Sequence, residues 1–349
     1  MLYAREIMIE SGPQTIDDLH ELTSRPPKSV LDSVSTLEGD VLVLGAAGKM
    51  GFHLSLMIQR ALRELRKSSH IWAVSRFGDK SSRKLFSKHD IECLPCDLCS
   101  TEDLRALPEA PNVFFLAGVK FGTTHAPDLL QEMNVEMPTR VAHKFRSSSI
   151  VALSTGCVYS FTAPASAPTE ESPTKPVGDY ARSCLGRESS FRKVSEDFGT
   201  QVSLVRLNYS NDLRYGVLVD IAHKVLEGEP IDVSMGYVNV IWQGDASEQI
   251  IRSLSFADSP PWIINVTGER TMRVRDIAEF FGQRFERDVT IEGEEAPTAW
   301  ISDSSKAVRT FGPPRVDEER LLHWVADWLE KGGETLGKPT HFENRDGDF

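Results

Sequence analysis

Three glycines, spaced three residues apart, form the clearest candidate ligand-binding motif in this sequence. Gly45, Gly48 and Gly51 follow the apolar run 41–44 and precede apolar residues at helical spacing, so a strand, a tight turn and a helix are expected. A turn without Cβ atoms lets a pyrophosphate reach the backbone, and a helix start offers free N–H groups and the positive end of its dipole. The pattern therefore predicts a dinucleotide site. Its expected contacts in this turn are Gly45, Ala47, Gly48, Lys49, Met50 and Gly51.

A second group of candidate residues is Ser75-Arg76, at the end of the next expected strand. Dinucleotide-binding proteins usually have an acidic residue near this position, which bonds the adenosine ribose. Without that carboxylate a 2′-phosphate is not repelled, and Arg76 can pair with the phosphate and stack on adenine. We therefore predict NADP(H) in preference to NAD(H). The alternative is that Arg76 points to solvent and Ser75 bonds either cofactor.

Two further strand ends are expected to face the same ligand. Asp97 follows the third strand, where its carboxylate can accept a hydrogen bond from the adenine amino group. Ala117-Gly118 follow the fourth strand and are small enough for a cofactor to pass over them. The expected contacts at these two ends are Asp97, Leu98, Ala117 and Gly118.

Cys93, Cys96 and Cys99 form a Cys-x-x-Cys-x-x-Cys run beside Asp97. Such a run can indicate zinc or an iron–sulfur cluster, but a closed site of either kind needs four ligands, and no fourth is positioned nearby in the sequence. The run also overlaps the strand end that is expected to hold adenine. We therefore predict no metal site here, and the scattered histidines form no His-x-x-x-His pair that would suggest one elsewhere.

Alternating strands and helices must position these residues. Helical patterns occupy most of the gaps between the expected strands, which indicates a parallel sheet with helices on both faces and right-handed crossovers. The predicted fold class is therefore α/β, a Rossmann-type doubly wound parallel sheet of about seven strands, with ligands beyond the carboxyl ends of the strands. The expected strands are 41–44, 71–75, 91–94, 113–116, 149–154, 202–207 and 262–266.

Less regular segments predict a smaller C-terminal substrate-binding lobe beside the sheet. A helical extension precedes the first strand, and Thr15 and Asp18 can form a capping box in it. The tail is rich in glycine and charge and has no periodicity. The expected boundaries are 1–39 for the N-terminal helical extension, 40–208 with 237–268 for the NAD(P)-binding domain, 209–236 with 269–330 for the substrate-binding lobe, and 331–349 for the tail.

Composition excludes several classes of function. The chain has 349 residues and a formal net charge of −12 without a long basic run, which argues against nucleic acid or an anionic membrane surface as the main partner. No stretch approaches the roughly 18 apolar residues of a transmembrane helix, and the N-terminus lacks the pattern of a signal peptide. Five cysteines, an odd number, fit a reduced cytosolic protein.

Three further motifs complete a pattern that resembles a known family. They are Met133-Asn134-Val135, Ser154-Thr155-Gly156-Cys157-Val158-Tyr159, and the stretch 176–188, which contains Tyr180 and Cys184. With the glycine turn, they resemble the extended short-chain dehydrogenase/reductase superfamily, in its NAD-dependent epimerase/dehydratase branch. The resemblance covers residues 41–330. Four later stretches of this sequence also resemble motifs of the family. They are residues 206–209, 238–245, 264–268 and 302–306.

The resemblance implies hydride transfer at a carbinol carbon of a sugar, a sugar acid or a nucleotide-sugar. Tyr180 would be the acid/base and would also contact the cofactor, Thr155 would hold the substrate oxygen, and Asn134 would fix the backbone and a water behind the site. A phenol with a pKa near 10 needs a nearby positive charge to act as a base near pH 7. A homodimer is also a family expectation.

The sequence departs from the family at Cys184, where the pattern has a lysine that grips the nicotinamide ribose and lowers the tyrosine pKa. A neutral thiol does not replace an ammonium. Three interpretations remain: Lys120 or Arg182 supplies the charge, the positive ring of the oxidised nicotinamide suffices, or the chain binds cofactor without turnover. We favour an active enzyme, because Thr155 and Tyr180 are both present.

A second departure narrows the expected chemistry. Family dehydratases carry Asp-Glu after the threonine, but Gly156-Cys157 stand there and cannot move the protons of an elimination. Oxidoreduction, or epimerisation through a keto intermediate, therefore remains. A non-catalytic NADP(H)-binding sensor or interaction protein is the alternative. The expected contacts to a hydroxylated or acidic carbohydrate are Lys120, Gly156, Asn208 and Arg214, with Asn211 and Tyr215 beside them.

Overall fold

A sheet of parallel strands lies at the centre of the molecule. The computed structural model describes residues 12–78, 80–123 and 126–347, and in this part of the chain seven strands form one sheet. The strands are β1 (Val41–Leu44), β2 (Ile71–Ser75), β3 (Glu92–Pro95), β4 (Asn112–Phe115), β5 (Ser149–Thr155), β6 (Val202–Leu207) and β7 (Trp262–Val266). Their spatial order is β3-β2-β1-β4-β5-β6-β7, with all neighbours parallel. This doubly wound order confirms the predicted fold class. Only β3 and β4 are shifted, each by one residue, from their expected starts.

The residues of β1 show why both faces of the sheet are covered. Val41 and Val43 pack into one helical layer, whereas Leu42 and Leu44 pack into the other, because successive side chains of a strand point to opposite faces. All four side chains are fully buried. The uninterrupted apolar run therefore forms a strand that is covered on both sides, as the sequence predicts.

Helices follow most of the strands, and several of them form the two layers that cover the sheet. In chain order they are α1 (Ile16–Ser24), α2 (Lys28–Ser35), α3 (Gly51–Glu64), α4 (Lys80–Ser87), α5 (Thr101–Ala106), α6 (Pro127–Gln131), α7 (Met137–Lys144), α8 (Gly178–Phe198), α9 (Val217–Glu227), α10 (Gln243–Ser253), α11 (Val274–Phe285), α12 (Ser305–Phe311) and α13 (Glu318–Glu330). α2, α3 and α10 pack on the face that holds Val41 and Val43, and α5, α7 and α8 pack on the opposite face. None of the described helices combines the length and the apolar character that a membrane span requires.

α1 begins with the capping box that the sequence predicts. The Thr15 hydroxyl accepts the N–H of Asp18, and the Asp18 carboxylate accepts the N–H of Thr15. Leu19 is fully buried in a second hydrophobic core beside the sheet, and His20 Nδ1 lies 2.8 Å from Nε2 of His53 in α3. The helix therefore packs on both parts of the molecule. Residues 1–11 of the expected extension lie outside the described residues.

The helical pattern of residues 126–145 is interrupted in its middle. A π-helical turn, Glu132–Glu136, separates α6 from α7, and the N–H of Met137 bonds the carbonyl of Glu132 five residues earlier. Pro138 has no N–H with which to bond the carbonyl of Asn134, so a regular α-helix cannot continue there. Turns of this kind often occur at functional sites, and this one carries Asn134.

A second hydrophobic core lies beside the sheet. α9, α11 and α13 build it together with Trp242 and Trp300. The described tail after residue 330 has no helix or strand, but it packs against the start of α8. A Cβ on Gly178 would lie 2.5 Å from the carbonyl oxygen of Gly347, so the tail fixes the backbone two residues before Tyr180. The domain boundaries given above stay a prediction.

Candidate functional site

The turn after β1 is shaped by the close approach of β4 and by the start of α3. Gly45 has a φ of +85°, and a Cβ on it would lie 2.7 Å from the amide nitrogen of Ala117. A Cβ on Gly51 would lie 2.2 Å from the carbonyl oxygen of Ala46. Backbone atoms thus exclude side chains at both positions and leave the peptide groups of the turn uncovered. An uncovered turn at a helix start is the arrangement that binds a pyrophosphate.

A cavity of about 480 Å³ borders this turn. It lies at the carboxyl ends of β1 to β4, where the strand order reverses. Its volume is within the range of roughly 300–1,000 Å³ that is usual for ligand sites. Most of the expected cofactor contacts meet here. They are Gly45, Ala47, Gly48, Ser75, Arg76, Asp97, Leu98, Ala117 and Gly118.

The ends of β2 and β3 form one side of this first cavity. Arg76 is exposed there beside Ser75. Asp97 is held at the edge, because its Oδ1 accepts the N–H of Cys99 at 3.0 Å. Among the described residues that line the cavity, Asp97 is the one that carries a carboxylate. At the end of β2, the described lining therefore has an arginine and no acidic residue. An acidic residue at this position would repel a 2′-phosphate, whereas an arginine can pair with it.

Two of the clustered cysteines, Cys96 and Cys99, also line the first cavity. Burial first, and then neighbouring acidic side chains, raise the pKa of each thiol to about 11, so both are protonated near neutral pH. Within the described residues, no group of three or more histidine, cysteine, aspartate or glutamate side chains is close enough to hold a metal ion. These two cysteines are therefore part of the cavity wall.

A second cavity, of about 210 Å³, borders the same turn. Its wall includes Lys49, Met50, Lys120, Thr155, Cys157, Asn208 and Tyr215. Lys49 and Met50 were expected to contact the cofactor, but the structure places them on this second cavity and not on the first. The reason is a contact with the smaller lobe, because the ammonium of Lys49 lies 3.1 Å from the centre of the Tyr215 ring.

Cations give the second cavity its electrostatic character. Loss of water around the ammonium, followed by repulsion from Lys120 and Lys338, lowers the pKa of Lys49 to about 7. Burial also lowers the pKa of Lys120, against the opposing influence of Cys157 and Cys184. A bound anion would favour the charged form of both amines. The second cavity therefore suits an anionic ligand.

Asn134 is fully buried and ties the loop after β4 to α8. Its Oδ1 accepts the N–H of Val119 at 3.0 Å, and its Nδ2 donates to the carbonyl of Val119 at 2.9 Å. Nδ2 also donates to the hydroxyl of Ser183 at 2.9 Å, and that hydroxyl donates to the carbonyl of Tyr180. The amide therefore fixes both the loop and the first turn of the helix that carries Tyr180.

Tyr180 and Cys184 face each other across one turn of α8. The phenol and the thiol share a hydrogen bond, and Cys184 is fully buried. Burial, and then the thiols of Cys184 and Cys157, raise the pKa of Tyr180 well above its usual value of about 10. The phenol is therefore protonated near neutral pH. Tyr180 itself lines neither cavity, but its ring centre lies 5.8 Å from the ammonium of Lys120, which lines the second.

The two cations expected to replace the family's lysine have different surroundings. Lys120 is on the wall of the second cavity, whereas Arg182 pairs with Asp179 on the surface, where both side chains are more than half exposed. Sequence reasoning missed a third cation, Arg187, which is buried one turn after Cys184. Its spacing of three residues from Cys184 on the same helix was the available signal.

The other expected substrate contacts are used differently. Arg214 pairs with buried Asp212 at 2.9 Å and lines a separate pocket beside the tail, so it does not reach the second cavity. Gly156 is a buried turn residue, and a Cβ on it would lie 3.0 Å from the side chain of Asn208. Asn208 lines the second cavity, although its Nδ2 donates to Asn239 at 2.9 Å. Lys120 is therefore the expected substrate contact that brings charge to this cavity.

Comparisons with known proteins agree with this architecture. The model of the NAD dependent epimerase/dehydratase family matches residues 41–234. A solved UDP-galactose 4-epimerase is 22% identical with a TM-score of 0.66, over 84% of this chain and 99% of its own. The UDP-glucuronic acid 4-epimerase of Bacillus cereus in complex with NAD is 18% identical with a TM-score of 0.69, and the match covers 84% of this chain and 99% of that epimerase. The UDP-glucose 4-epimerase of Thermus thermophilus in complex with NAD is 18% identical with a TM-score of 0.66, and the match covers 83% of this chain and 99% of that epimerase. No curated protein matches the sequence significantly.

The family match extends over more than half of the 349 residues and includes the glycine turn, Asn134, Thr155 and Tyr180. At these identities the solved structures establish likeness of fold alone. The chain therefore belongs to the NAD dependent epimerase/dehydratase family.

Proposed function

We propose that the protein is an NAD(P)-dependent oxidoreductase or epimerase that moves a hydride at a carbinol carbon of a sugar, a sugar acid or a nucleotide-sugar. The observation that carries this proposal is the arrangement of two cavities around one glycine turn. The first is lined by Gly45 and Gly118 and suits a dinucleotide. The second is lined by Thr155 and Lys120 and suits a hydroxylated substrate. The UDP-sugar epimerases of similar fold, some in complex with NAD, support the same class of reaction.

Three polar residues have proposed roles in this reaction. NAD(P), when bound, supplies the acceptor or donor of the hydride. Tyr180 exchanges a proton with the reacting oxygen, and Thr155, whose hydroxyl accepts the N–H of Cys157 at 3.2 Å, orients that oxygen. Asn134 holds the loop at Val119 in place. Because the phenol is protonated near neutral pH, Tyr180 is suited to protonating a carbonyl oxygen during reduction.

Dehydration is not part of the proposal. An elimination needs a further proton donor and acceptor beside the reacting carbon. Gly156 has no side chain, and burial raises the pKa of Cys157, so that thiol is a poor base. Oxidoreduction or epimerisation remains.

A turnover assay tests the proposed function. Purified protein is mixed with NADP⁺ or NAD⁺ and a panel of sugars, aldonates, uronates and UDP-sugars, and the absorbance of reduced cofactor is followed. We expect reduced cofactor, or an epimerised product, with at least one acidic or nucleotide-linked sugar. Cofactor that copurifies tightly would indicate an epimerase, and cofactor that exchanges freely would indicate a dehydrogenase.

The alternative function is a non-catalytic NADP(H)-binding sensor or interaction protein. It is favoured by one observation, the buried thiol of Cys184 at the position of the family's lysine. Binding of cofactor without turnover of any member of the panel, in either direction, would support this alternative over the enzyme.

Arg76 is proposed to read the 2′-phosphate of NADP. Replacing Arg76 with alanine should weaken NADP⁺ binding about tenfold to a hundredfold, because a hydrogen bond to a charged group is lost, and should change NAD⁺ binding little. Titration calorimetry with both cofactors measures the difference. Arg287→Ala, an exposed arginine of the smaller lobe, is the matched control. Equal losses for NADP⁺ and NAD⁺ would mean that Arg76 reads no phosphate.

Lys49 is proposed to make substrate binding depend on pH. Its pKa of about 7 means that it loses its proton as the pH rises through that value, so affinity for a uronate or aldonate should fall over the same interval. Lys49→Gln should bind the anion weakly at all these pH values, without that dependence. Lys28→Gln, whose side chain is 85% exposed, is the control and should keep the wild-type profile. A wild-type affinity that does not change with pH would contradict the assignment.

A further inference from the structure

Arg187 is a buried positive charge without an acidic partner in the described part of the chain. The residue is 7% exposed, and among the described residues no carboxylate forms an ion pair with it. Its Nη1 donates to the carbonyl of Leu153 at 3.0 Å, and its Nη2 donates to Oδ1 of Asn134 at 2.5 Å. Nε is buried and has no hydrogen-bond partner within the residues that the structure describes. The guanidinium also lies 6.0 Å from the centre of the Phe115 ring, but a buried charge without a counter-ion is still unfavourable, so a bound anion would stabilise this arrangement.

The guanidinium lies against the strand end that forms the first cavity. A Cβ on Gly118 would be 2.2 Å from Nη2 of Arg187, so the absence of a side chain at 118 makes room for the guanidinium. Gly118 also lines the cavity of about 480 Å³. A single glycine therefore contacts both the proposed cofactor site and the buried charge.

The geometry of α8 brings the guanidinium of Arg187 close to Cys184. Residues 184 and 187 are three apart and lie on the same face of the helix. Long side chains on a helix lean towards its N-terminus, which moves the guanidinium back towards Cys184 and Tyr180. Burial raises the pKa of both residues, and the charge of Arg187 opposes that rise.

We infer that Arg187 is the cation that replaces the family's lysine: it binds the dinucleotide near Gly118 and stabilises the phenolate of Tyr180. This inference rests on the proposed function. Lys120 lies on the second cavity, and Arg182 is on the surface. Of the three cations, Arg187 is therefore the one that lies against Gly118, which lines the first cavity. Asn134, which accepts from Nη2, holds the guanidinium in place.

Variants of Arg187 test the inference with two measurements. The first is the Kd for NADP⁺, measured by calorimetry. The second is the pH profile of substrate oxidation. Arg187→Met should raise the Kd about tenfold to a hundredfold and move the apparent pKa of the base upwards by about one to three units. Arg187→Lys keeps the charge and should retain most of both properties. Arg192→Met, a change on the same helix, should behave as wild type.

A compensating double variant tests whether the lost properties can be restored, so the conclusion does not depend on a loss of function alone. Adding Cys184→Lys to Arg187→Met should restore NADP⁺ binding and the wild-type profile, because the charge returns one turn earlier. Within the described part of the chain, the charged or titratable side chains placed around Tyr180 are Cys157, Cys184, Lys120 and Arg187. The single Arg187 variants leave the other three unchanged, so a shift in the profile reports the guanidinium.

The outcomes separate this inference from the proposed function. If the wild-type protein binds neither NADP⁺ nor NAD⁺, the proposed function fails. If it binds and turns over, but folded Arg187→Met has the same Kd and the same pH profile, only the role of Arg187 is overturned. If Arg187→Met does not fold, Arg187→Lys decides: a loss of NADP⁺ binding together with an upward shift of the apparent pKa, although the positive charge is kept, would mean that the arginine acts only through its hydrogen bonds to Leu153 and Asn134.

Discussion

Replacing Tyr180 with phenylalanine should lower kcat by about 10²–10⁴-fold while the affinity for NADP⁺ stays nearly constant. The phenol is the one group proposed to exchange a proton with the reacting oxygen, and phenylalanine removes that hydroxyl while filling the same space beside Cys184. Steady-state kinetics with the substrate found by the panel, together with calorimetry of NADP⁺ binding, measure the two quantities.

The pH profiles of the two directions add a second test of Tyr180. Because its pKa is raised well above the usual value, the phenolate is scarce near neutral pH and increases as the pH rises. Oxidation, which needs the phenolate, should therefore accelerate with rising pH, whereas reduction, which needs the phenol, should be nearly constant through neutral pH. Tyr237→Phe, whose ring packs against the second hydrophobic core, is the matched control. A Tyr180→Phe protein with wild-type rates would remove the tyrosine from the mechanism.

Removing the carboxylate of Glu188 should destabilise the protein by about 3–5 kcal/mol, because it leaves the buried Arg206 without its partner. The two side chains are 2% and 4% exposed and form a bidentate pair, with N–O distances of 2.9 and 2.7 Å. Burial lowers the pKa of Arg206, but Glu188 outweighs it and raises that pKa overall. Ser154 and Tyr159 bond the same pair, so the network ties α8 to β5 and β6 next to Thr155.

Urea denaturation of Glu188→Ala measures this loss. The matched control is Asp197→Ala, which breaks an exposed ion pair with Lys193 on the same helix and should be nearly neutral. A double variant that replaces both Glu188 and Arg206 with apolar residues should recover part of the stability, because no charge is then left buried. If Glu188→Ala were as mild as Asp197→Ala, the pair would not support the site as described.

The parts of the molecule that the sequence predicts well are those encoded by near neighbours. The apolar run of β1, the glycines that follow it and the capping box at Thr15 depend on residues only a few positions apart. Each was located within one residue. The alternation of strand and helix then predicted a parallel sheet with helices on both faces, and the structure confirms the parallel sheet.

The residues that the sequence placed less well depend on contacts between distant segments. Lys49 turns to the second cavity because it meets Tyr215, which is distant in the sequence. Thr340 reaches the same cavity from a tail that has no periodicity. No pattern within a few residues reports such contacts, since they are set by how the smaller lobe packs against the sheet.

A crystal structure with NADP⁺ tests the central claim most directly. It should show the pyrophosphate at the amides of residues 45–51, the 2′-phosphate near Arg76, and the nicotinamide ring beside Tyr180 at the opening of the second cavity. A dinucleotide bound elsewhere, or one whose nicotinamide lies out of reach of Tyr180 and Thr155, would contradict the proposed hydride transfer.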